Sequence, residues 1–440
     1  MSFRPAGNDA IEPAAVQVAG TRLRSRRFLP LFLTQTLGAL NDNLFKNALV
    51  VLVIFSATGG GPAMVAAAGG VFILPYALFS ALAGQLADKY DKARLIRLTK
   101  LCEVALMVAA AVGFLSGSVA LLFAVLFGLG VQATFFGPLK YGILPDHLAE
   151  RELVDGNARI EAGTFGGILA GTIVGGAIIL LPHGAALVSA AGLLVALAGA
   201  AAGFAVPPAR AAAPDLAIGW NPWRQTIDLV AQARTQRGVW PAILGLSWFW
   251  TVGATLLTEF PVLARDRFAA DGHVVTLLLA MFATGVGAGS WLIARLLRGE
   301  VSARHVPLAA LLLTIFIADF AWVCMGVSPD TGWSDVPAML RAPRAWRALA
   351  DLFLIAMCGG AFSVPLYAIL QERSPPAWRA RMIAANNVVN AAFIVGGAVA
   401  VAALDALGVP APGVLAMTAA LNLAVTVVIQ RNVSGTAAAT

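Results

Sequence analysis

Charge is scarce in this chain. Only 12% of its 440 residues are Asp, Glu, Lys or Arg, while 59% are hydrophobic. Soluble domains carry about 25% charge. No soluble domain of this length could hide so much apolar surface, so a polytopic membrane protein is expected. Cysteine and histidine are scarce too. Cys102, Cys324 and Cys358 all lie in apolar runs without metal spacing or a disulfide framework. The four histidines are scattered and form no ligand pattern. No P-loop is present, which removes ATP hydrolysis, and no nucleophile–base or metal constellation appears, so neither an enzyme nor a bound cofactor is expected. Met1–Thr21 has no apolar core or cleavage site, which argues against a signal peptide. Residues 1–27 read as a flexible cytoplasmic segment.

What is present is a series of apolar runs, with a mean hydropathy of +0.81 for the whole chain. Twelve are long enough to span a bilayer: 28–55, 64–87, 95–115, 119–139, 158–181, 185–206, 239–263, 274–296, 306–327, 349–370, 382–404 and 413–429. Only helices or closed barrels satisfy their backbone in lipid, and these runs are too continuous for barrel strands. The net charge of +7 does not point to nucleic acid, because the cations cluster in alternate loops. One set holds Arg22–Arg27; Lys89, Lys92, Arg94, Arg97 and Lys100; Arg210–Arg237; Arg295–Arg304; and Arg373–Arg381. By the positive-inside rule this side is cytoplasmic, with both termini. Arg265, Arg267, Arg341, Arg344 and Arg347 are the exceptions, near Asp266, Asp271, Asp330 and Asp335. They read as solvated loop charge or as an outer headgroup site.

The break at 207–238 divides the chain into two six-span bundles, 28–206 and 239–430, followed by a tail at 431–440. Within the break, Trp220–Arg237 reads as an amphipathic interfacial helix, with Trp223, Ile227, Leu229 and Val230 against Arg224, Arg234 and Arg237. Pro138-Leu139-Lys140-Tyr141 at the end of span four and Pro365-Leu366-Tyr367-Ala368 at the end of span ten suggest an internal repeat. Repeated halves are a common transporter plan, with the site between them near the midplane.

Polar residues inside apolar spans mark the candidate pathway. In span one, Gln35, Asp42 and Lys46 fall on one stripe, with Asn41, Asn43 and Asn47 beside it. A charge at a helix centre costs about 2.5–3.5 kcal/mol to insert, so these groups should face protein or water. Either they line a solute path, or Asp42 and Lys46 neutralise each other and fix packing. Gln132, Phe136 and Lys140 share a face of span four, with Glu161 as a partner for Lys140; the lysine suits an anionic phosphate or snorkels. Asn386 and Asn390, with Asn387 adjacent, and Glu259 complete the set. The glycines at 163, 167, 171 and 175, and at 285, 287 and 289, are expected either to pack between the two halves and rock there or to serve tight static packing.

Gly84-Gln85-Leu86-Ala87-Asp88-Lys89, followed by Arg94, resembles the gate motif of the major facilitator superfamily. Asp88 would sit at a helix N-terminus or pair with an arginine across a cytoplasmic gate; Lys89, Arg94, Glu372 and Arg373 are the other gating candidates. Leu37–Asn43, Lys140–Leu144, Gly156–Ala162 and Val364–Arg373 together resemble the lysophospholipid transporter family of that superfamily, most nearly the transporter part of proteins fused to an acyltransferase. The resemblance runs from about Phe28 to Arg431. It implies an all-α integral membrane fold of twelve helices in two pseudo-symmetric bundles, in the bacterial inner membrane. It also implies alternating-access flipping of lysophospholipids, chiefly lysophosphatidylethanolamine, from outer to inner leaflet for reacylation. Asp42 and Lys140 are the residues that match the family's functional positions. An arginine that the family places in span seven has no counterpart, since Thr255–Glu259 occupies that region. A separate cytoplasmic acyltransferase is the expected partner and a monomer the expected state; Asp42 is the candidate for proton coupling. The competing readings are a proton-coupled exporter of drugs or small amphiphiles, and a membrane scaffold acting through the central loop.

Overall fold

The computed structural model describes residues 25–55, 61–328 and 333–437, so most of the 1–27 segment lies outside the described residues. Among those described, every regular element is helical. Long apolar runs leave the backbone no partner but itself in lipid, and the α-helix is the local solution. In chain order the helices are α1 Leu29–Phe55, α2 Gly61–Lys89, α3 Lys92–Ser116, α4 Val119–Gly142, α5 Leu144–His147, α6 Leu153–Ile179, α7 Gly184–Phe204, α8 Pro222–Thr235, α9 Trp240–Asp266, α10 Gly272–Leu297, α11 Val306–Met325, α12 Val336–Arg341, α13 Pro343–Arg373, α14 Arg379–Ala406 and α15 Ala411–Ala437. Eleven of the described helices are long and apolar enough to cross a membrane. The twelfth, α1, has 27 residues, ample for a crossing, but its own Gln, Asn, Asp and Lys residues dilute its apolarity. At two N-termini the helices start ahead of the apolar runs, at Lys92 and Gly272, where side-chain caps begin them; Asp91 accepts from the Arg94 N–H and Asp271 from those of His273 and Val274.

In the first half α1 packs on α6, α2 on α4, and α3 on α7; in the second, α10 packs on α13 and α11 on α15. The halves meet where α2 crosses α14 and α6 crosses α10. The glycine stripes differ from expectation. Gly167, Gly171 and Gly175 lie against the α1 backbone at Thr36, Leu40 and Leu44, and Gly163 lies against Thr36 and Phe32. Gly285 and Gly289 likewise meet α13 at Phe353 and Met357. These stripes weld helices within a half; only Gly287 looks across, to Ala162 of α6 at 3.8 Å. The reason is that α6 and α10 each have two packed faces, and small residues go where backbones touch.

The segment between the halves forms α8, which lies over α2 and α14 at the end carrying the basic loops. Gln225 and the Gly219 N–H hydrogen-bond Gln85, and Thr226 donates to the Ala77 carbonyl. Trp220, Trp223 and Ile227 point outward and are exposed, whereas Leu229 turns inward and is buried with Ala233. The outward apolar face is therefore narrower than the sequence suggested.

Candidate functional site: a central cavity closed at one end

At the basic end the two halves are fastened by a seam. Gly84 lets α2 come against α14, where a Cβ would fall 2.7 Å from that of Ala384 and 2.9 Å from the Arg381 Cα. That approach puts Asp88, fully buried, at the N-terminus of α14. Its carboxylate accepts from the Ala380 N–H at 3.0 Å, the Arg381 N–H at 3.3 Å and the Arg381 Nε at 2.9 Å. The helix end and the guanidinium both favour a negative group here. Beside it Lys92 donates to Asp146 at 2.9 Å, with Arg379 at 3.7 Å from the same carboxylate. Asn157 and Gln371 exchange amide hydrogen bonds at 2.6 and 3.0 Å. Lys89, Arg94, Glu372 and Arg373 lie off the seam. Lys89 donates to the Leu216 carbonyl, Arg94 is exposed beside the Asp91 cap, and Glu372 and Arg373 are exposed. Lys92 and Gln371 occupy the places expected of Arg94 and Glu372, two positions and one position away, and Asp146 and Asn157 join them from the first half.

Above this seam, between the halves, lies a cavity of about 380 Å³. Its floor is a stack of Tyr141 from α4 on Tyr367 from α13, with centroids 4.3 Å apart and planes inclined by 11°. Tyr141 donates to Glu161 Oε1 at 2.6 Å, and Trp250 donates its indole N–H to the Tyr367 oxygen at 2.9 Å. Buried aromatic hydroxyls need such partners.

One wall is polar and belongs to the first half. Gln35, Asp42, Asn43 and Lys46 of α1 line it, with Gln132, Phe136 and Lys140 of α4. Gln35 donates to Thr164 at 2.8 Å, and Asn43 folds back onto the Ala39 carbonyl. No ion pair joins Asp42 to Lys46 among the described residues, and Asp42 Oδ1 is buried without a hydrogen-bond partner. Lys46 instead lies 5.3 Å from the Phe72 ring and Lys140 4.7 Å from that of Tyr141. Glu161 is therefore not paired with Lys140; its Oε1 is taken by Tyr141, its Oε2 has no partner, and it sits behind the floor. The opposite wall is aromatic and apolar. Phe165 stacks on Trp250 at 6.1 Å, with Phe249, Leu257 and Ile394 around it.

The structure adds a group that the sequence reading left in a loop. Lys100 is fully buried on α3, 2.6 Å from Glu103, and reaches the cavity beneath Phe136. Glu103 also accepts from Asn41 at 3.0 Å and Gln132 at 3.1 Å. Asn41 is therefore turned away from the cavity and fastens α1 to α3. Lys100 was hidden by its nearness to Lys92, Arg94 and Arg97; its i, i+3 partner Glu103, inside an apolar run, was the signal. On α14, Asn387 and Asn390 line the cavity, Asn390 accepting from Ser247 at 2.7 Å, while Asn386 is buried outside it. Glu259 is buried but does not reach the cavity. Lys46 and Lys140 thus bring two ammonium groups without an ion pair among the described residues to a wall whose one lining carboxylate is Asp42, while Lys100 reaches it already paired with Glu103. Such a surface attracts an anion, and the facing aromatic wall accepts an apolar body.

Comparisons with known proteins agree with this architecture. The family model of the Major Facilitator Superfamily matches residues 31–401. The lysophospholipid transporter LplT of Salmonella typhi is 30% identical over 358 residues, covering 80% of this chain and 81% of its own length; that of Salmonella paratyphi B matches to the same extent. Among solved structures, the human organic anion transporter MFSD10 superposes with a TM-score of 0.72 at 17% identity, covering 91% of this chain and 98% of its own. The proton:xylose symporter XylE gives 0.70 at 12% identity, covering 92% and 96%. With twelve long helices in two halves around a shared cavity, and with these relatives, the chain belongs to the lysophospholipid transporter family of the Major Facilitator Superfamily.

Proposed function

We propose that this protein moves lysophospholipids, lysophosphatidylethanolamine above all, from the outer to the inner leaflet of a bacterial inner membrane, where a separate acyltransferase restores the second chain. The basic end of the bundle is then cytoplasmic, and the form described is closed on that side. One observation carries the reading: the cavity sets a wall bearing Lys46 and Lys140, neither in an ion pair among the described residues, against an aromatic wall, the complement of a phosphate headgroup joined to a hydrocarbon. The relatives' name gives the substrate class.

The acyl chain has a route as well. In the apolar stretch of α14 only 11% of the residues are buried, against 78% in α13. A Cβ at Gly396 of α14, or at Gly69 or Gly70 of α2, would meet nothing within 4 Å. A tail lying along this bare face stays in lipid while the headgroup crosses. Withdrawing it into water would cost about 0.8 kcal/mol per methylene, or about 12 kcal/mol for a sixteen-carbon chain. Asp42, half-buried in the wall without an ion pair among the described residues, is the group that would carry a coupled proton.

The test is uptake of labelled lysophosphatidylethanolamine by spheroplasts lacking their own transporter, read as reacylated lipid. Wild type, Asp42→Asn and Lys140→Ala are compared at equal membrane expression. Uptake by wild type that falls in both variants supports the pathway. An inert wild type rejects the lysolipid assignment in favour of an amphiphile exporter, and unimpaired variants reject the proposed polar track.

A further inference from the structure

A second cavity, of about 290 Å³, lies at the end opposite the basic loops, on the outside of the second half. It is lined by Trp322, Val323, Met325, Gly326, Arg344 and Arg347, and shares no residue with the central cavity. Arg347 is held rigidly: its Nε donates to Asp319 Oδ2 at 2.9 Å and its Nη2 to Oδ1 of the same carboxylate. Arg344 differs. Its guanidinium lies 3.9 Å from where a Cβ on Gly326 would sit, and no carboxylate pairs with it among the described residues. The carbonyls at the end of α11, which would repel an anion there, are already engaged, because Arg267 donates to those of Cys324 and Met325. The result is an exposed guanidinium in a cleft whose other cation is neutralised.

The surroundings are those of a membrane boundary. Trp322, which lines the cleft, is 70% exposed, and Trp346, between its two arginines in sequence, is 58% exposed. Tryptophans with one polar edge collect at headgroup level. From Trp322 a ridge of exposed apolar side chains runs down α11 through Ile315, Leu311 and Leu308, spaced seven, four and three residues apart on one helix face. A cation at the head of a lipid-facing apolar ridge has the form of one glycerophospholipid: phosphate above, chain below.

We propose that this cleft binds the phosphodiester of a bilayer phospholipid through Arg344, with Arg347 as a second donor and the α11 ridge holding an acyl chain. The placement of this end at the outer leaflet rests on the orientation given above; the site itself does not. It is separate from the transport pathway, and the bound lipid is a ligand of the second half and not its cargo. Of the outer arginines, Arg344 and Arg347 thus belong to a headgroup site, while Arg265 is spent on Asp266 at 2.6 Å.

The experiment is native mass spectrometry of the full chain in detergent, titrated with dioleoyl-phosphatidylglycerol and, separately, with inorganic phosphate. The variants are Arg344→Ala, Arg344→Glu and, as a control on an exposed arginine elsewhere, Arg304→Ala. Loss of one charge-assisted contact should raise the lipid concentration for half-occupancy of the tightest site about tenfold in Arg344→Ala. Arg344→Glu should lose more, and Arg304→Ala should match wild type. Because the readout counts bound lipid and involves no transport, it stands or falls apart from the uptake assay. Equal lipid retention by wild type and both Arg344 variants overturns the proposal. Displacement of the lipid by inorganic phosphate at comparable concentration overturns the lipid assignment and leaves a free-phosphate site.

Discussion

The seam at the basic end makes a quantitative demand on Asp88. Its carboxylate is fully buried and accepts three hydrogen bonds from α14, one from a guanidinium. Asp88→Asn keeps the shape but removes the charge, leaving Arg381 buried beside a neutral amide. Hydrogen bonds to charged groups are worth about 1.5–3 kcal/mol, and stranding a buried partner costs more. A loss of about 2 kcal/mol, felt only where the halves are together at this end, shifts the equilibrium towards opening about thirtyfold. A basic-end-open population of about 1% would rise to about a quarter. The assay places one cysteine at Asn387, on the cavity wall, in a chain whose three natural cysteines are replaced. Inverted membrane vesicles are treated with an impermeant maleimide and the labelling rate is measured. Asp88→Asn should label at least tenfold faster. Arg381→Gln should do the same, and the double variant should not add the two effects, because they remove one interaction. A rate within twofold of the parent would refute the latch.

Two further predictions concern packing. Gly171→Ala would drive a methyl onto the Leu40 carbonyl, so the α1–α6 weld should loosen at a cost of about 1–3 kcal/mol, seen as a lower unfolding temperature in detergent. Gly396→Ala, which meets nothing within 4 Å, should leave that temperature unchanged. Lys100→Met strands Glu103 and should destabilise by about 3–5 kcal/mol, whereas Lys100→Met combined with Glu103→Gln should recover much of the loss; equal unfolding temperatures for the single and double variants would contradict the buried pair.

Hydropathy made the twelve spans legible, because lipid leaves a long apolar run one conformation, and most predicted ends fall within a few residues of the helix ends. The polar stripe of α1 was legible for the same reason: a charge at mid-span needs a cause. What periodicity could not show was which neighbour a helix face meets. Asn41 and Asp42 are adjacent in sequence and about 100° apart on the helix, so one binds Glu103 and the other lines the cavity. Asn386 and Asn387 divide in the same way. Small residues declare a close approach without naming the partner, so the glycine stripes could be assigned only once α1 and α13 lay against them. The seam defeated charge counting, since the pair opposite Asn157 is the neutral Gln371, and Glu372 beside it is exposed.

The first helix has one more consequence. It is toothed on two sides: Gln35, Asp42 and Lys46 project into the cavity, while Asn41 is held by Glu103 of α3 and Asn47 donates to the Thr172 carbonyl of α6 at 2.5 Å. Along its back, α6 presents glycines with no side chain for α1 to slide over. Turning α1 about its axis by even one residue would carry an ionised group into the helix packing and tear both fastenings. Any cycle of this protein must therefore leave the register of α1 untouched and carry α1, α3 and α6 as a single block, so the strain of each turnover falls on the surface where α2 crosses α14 and α6 crosses α10.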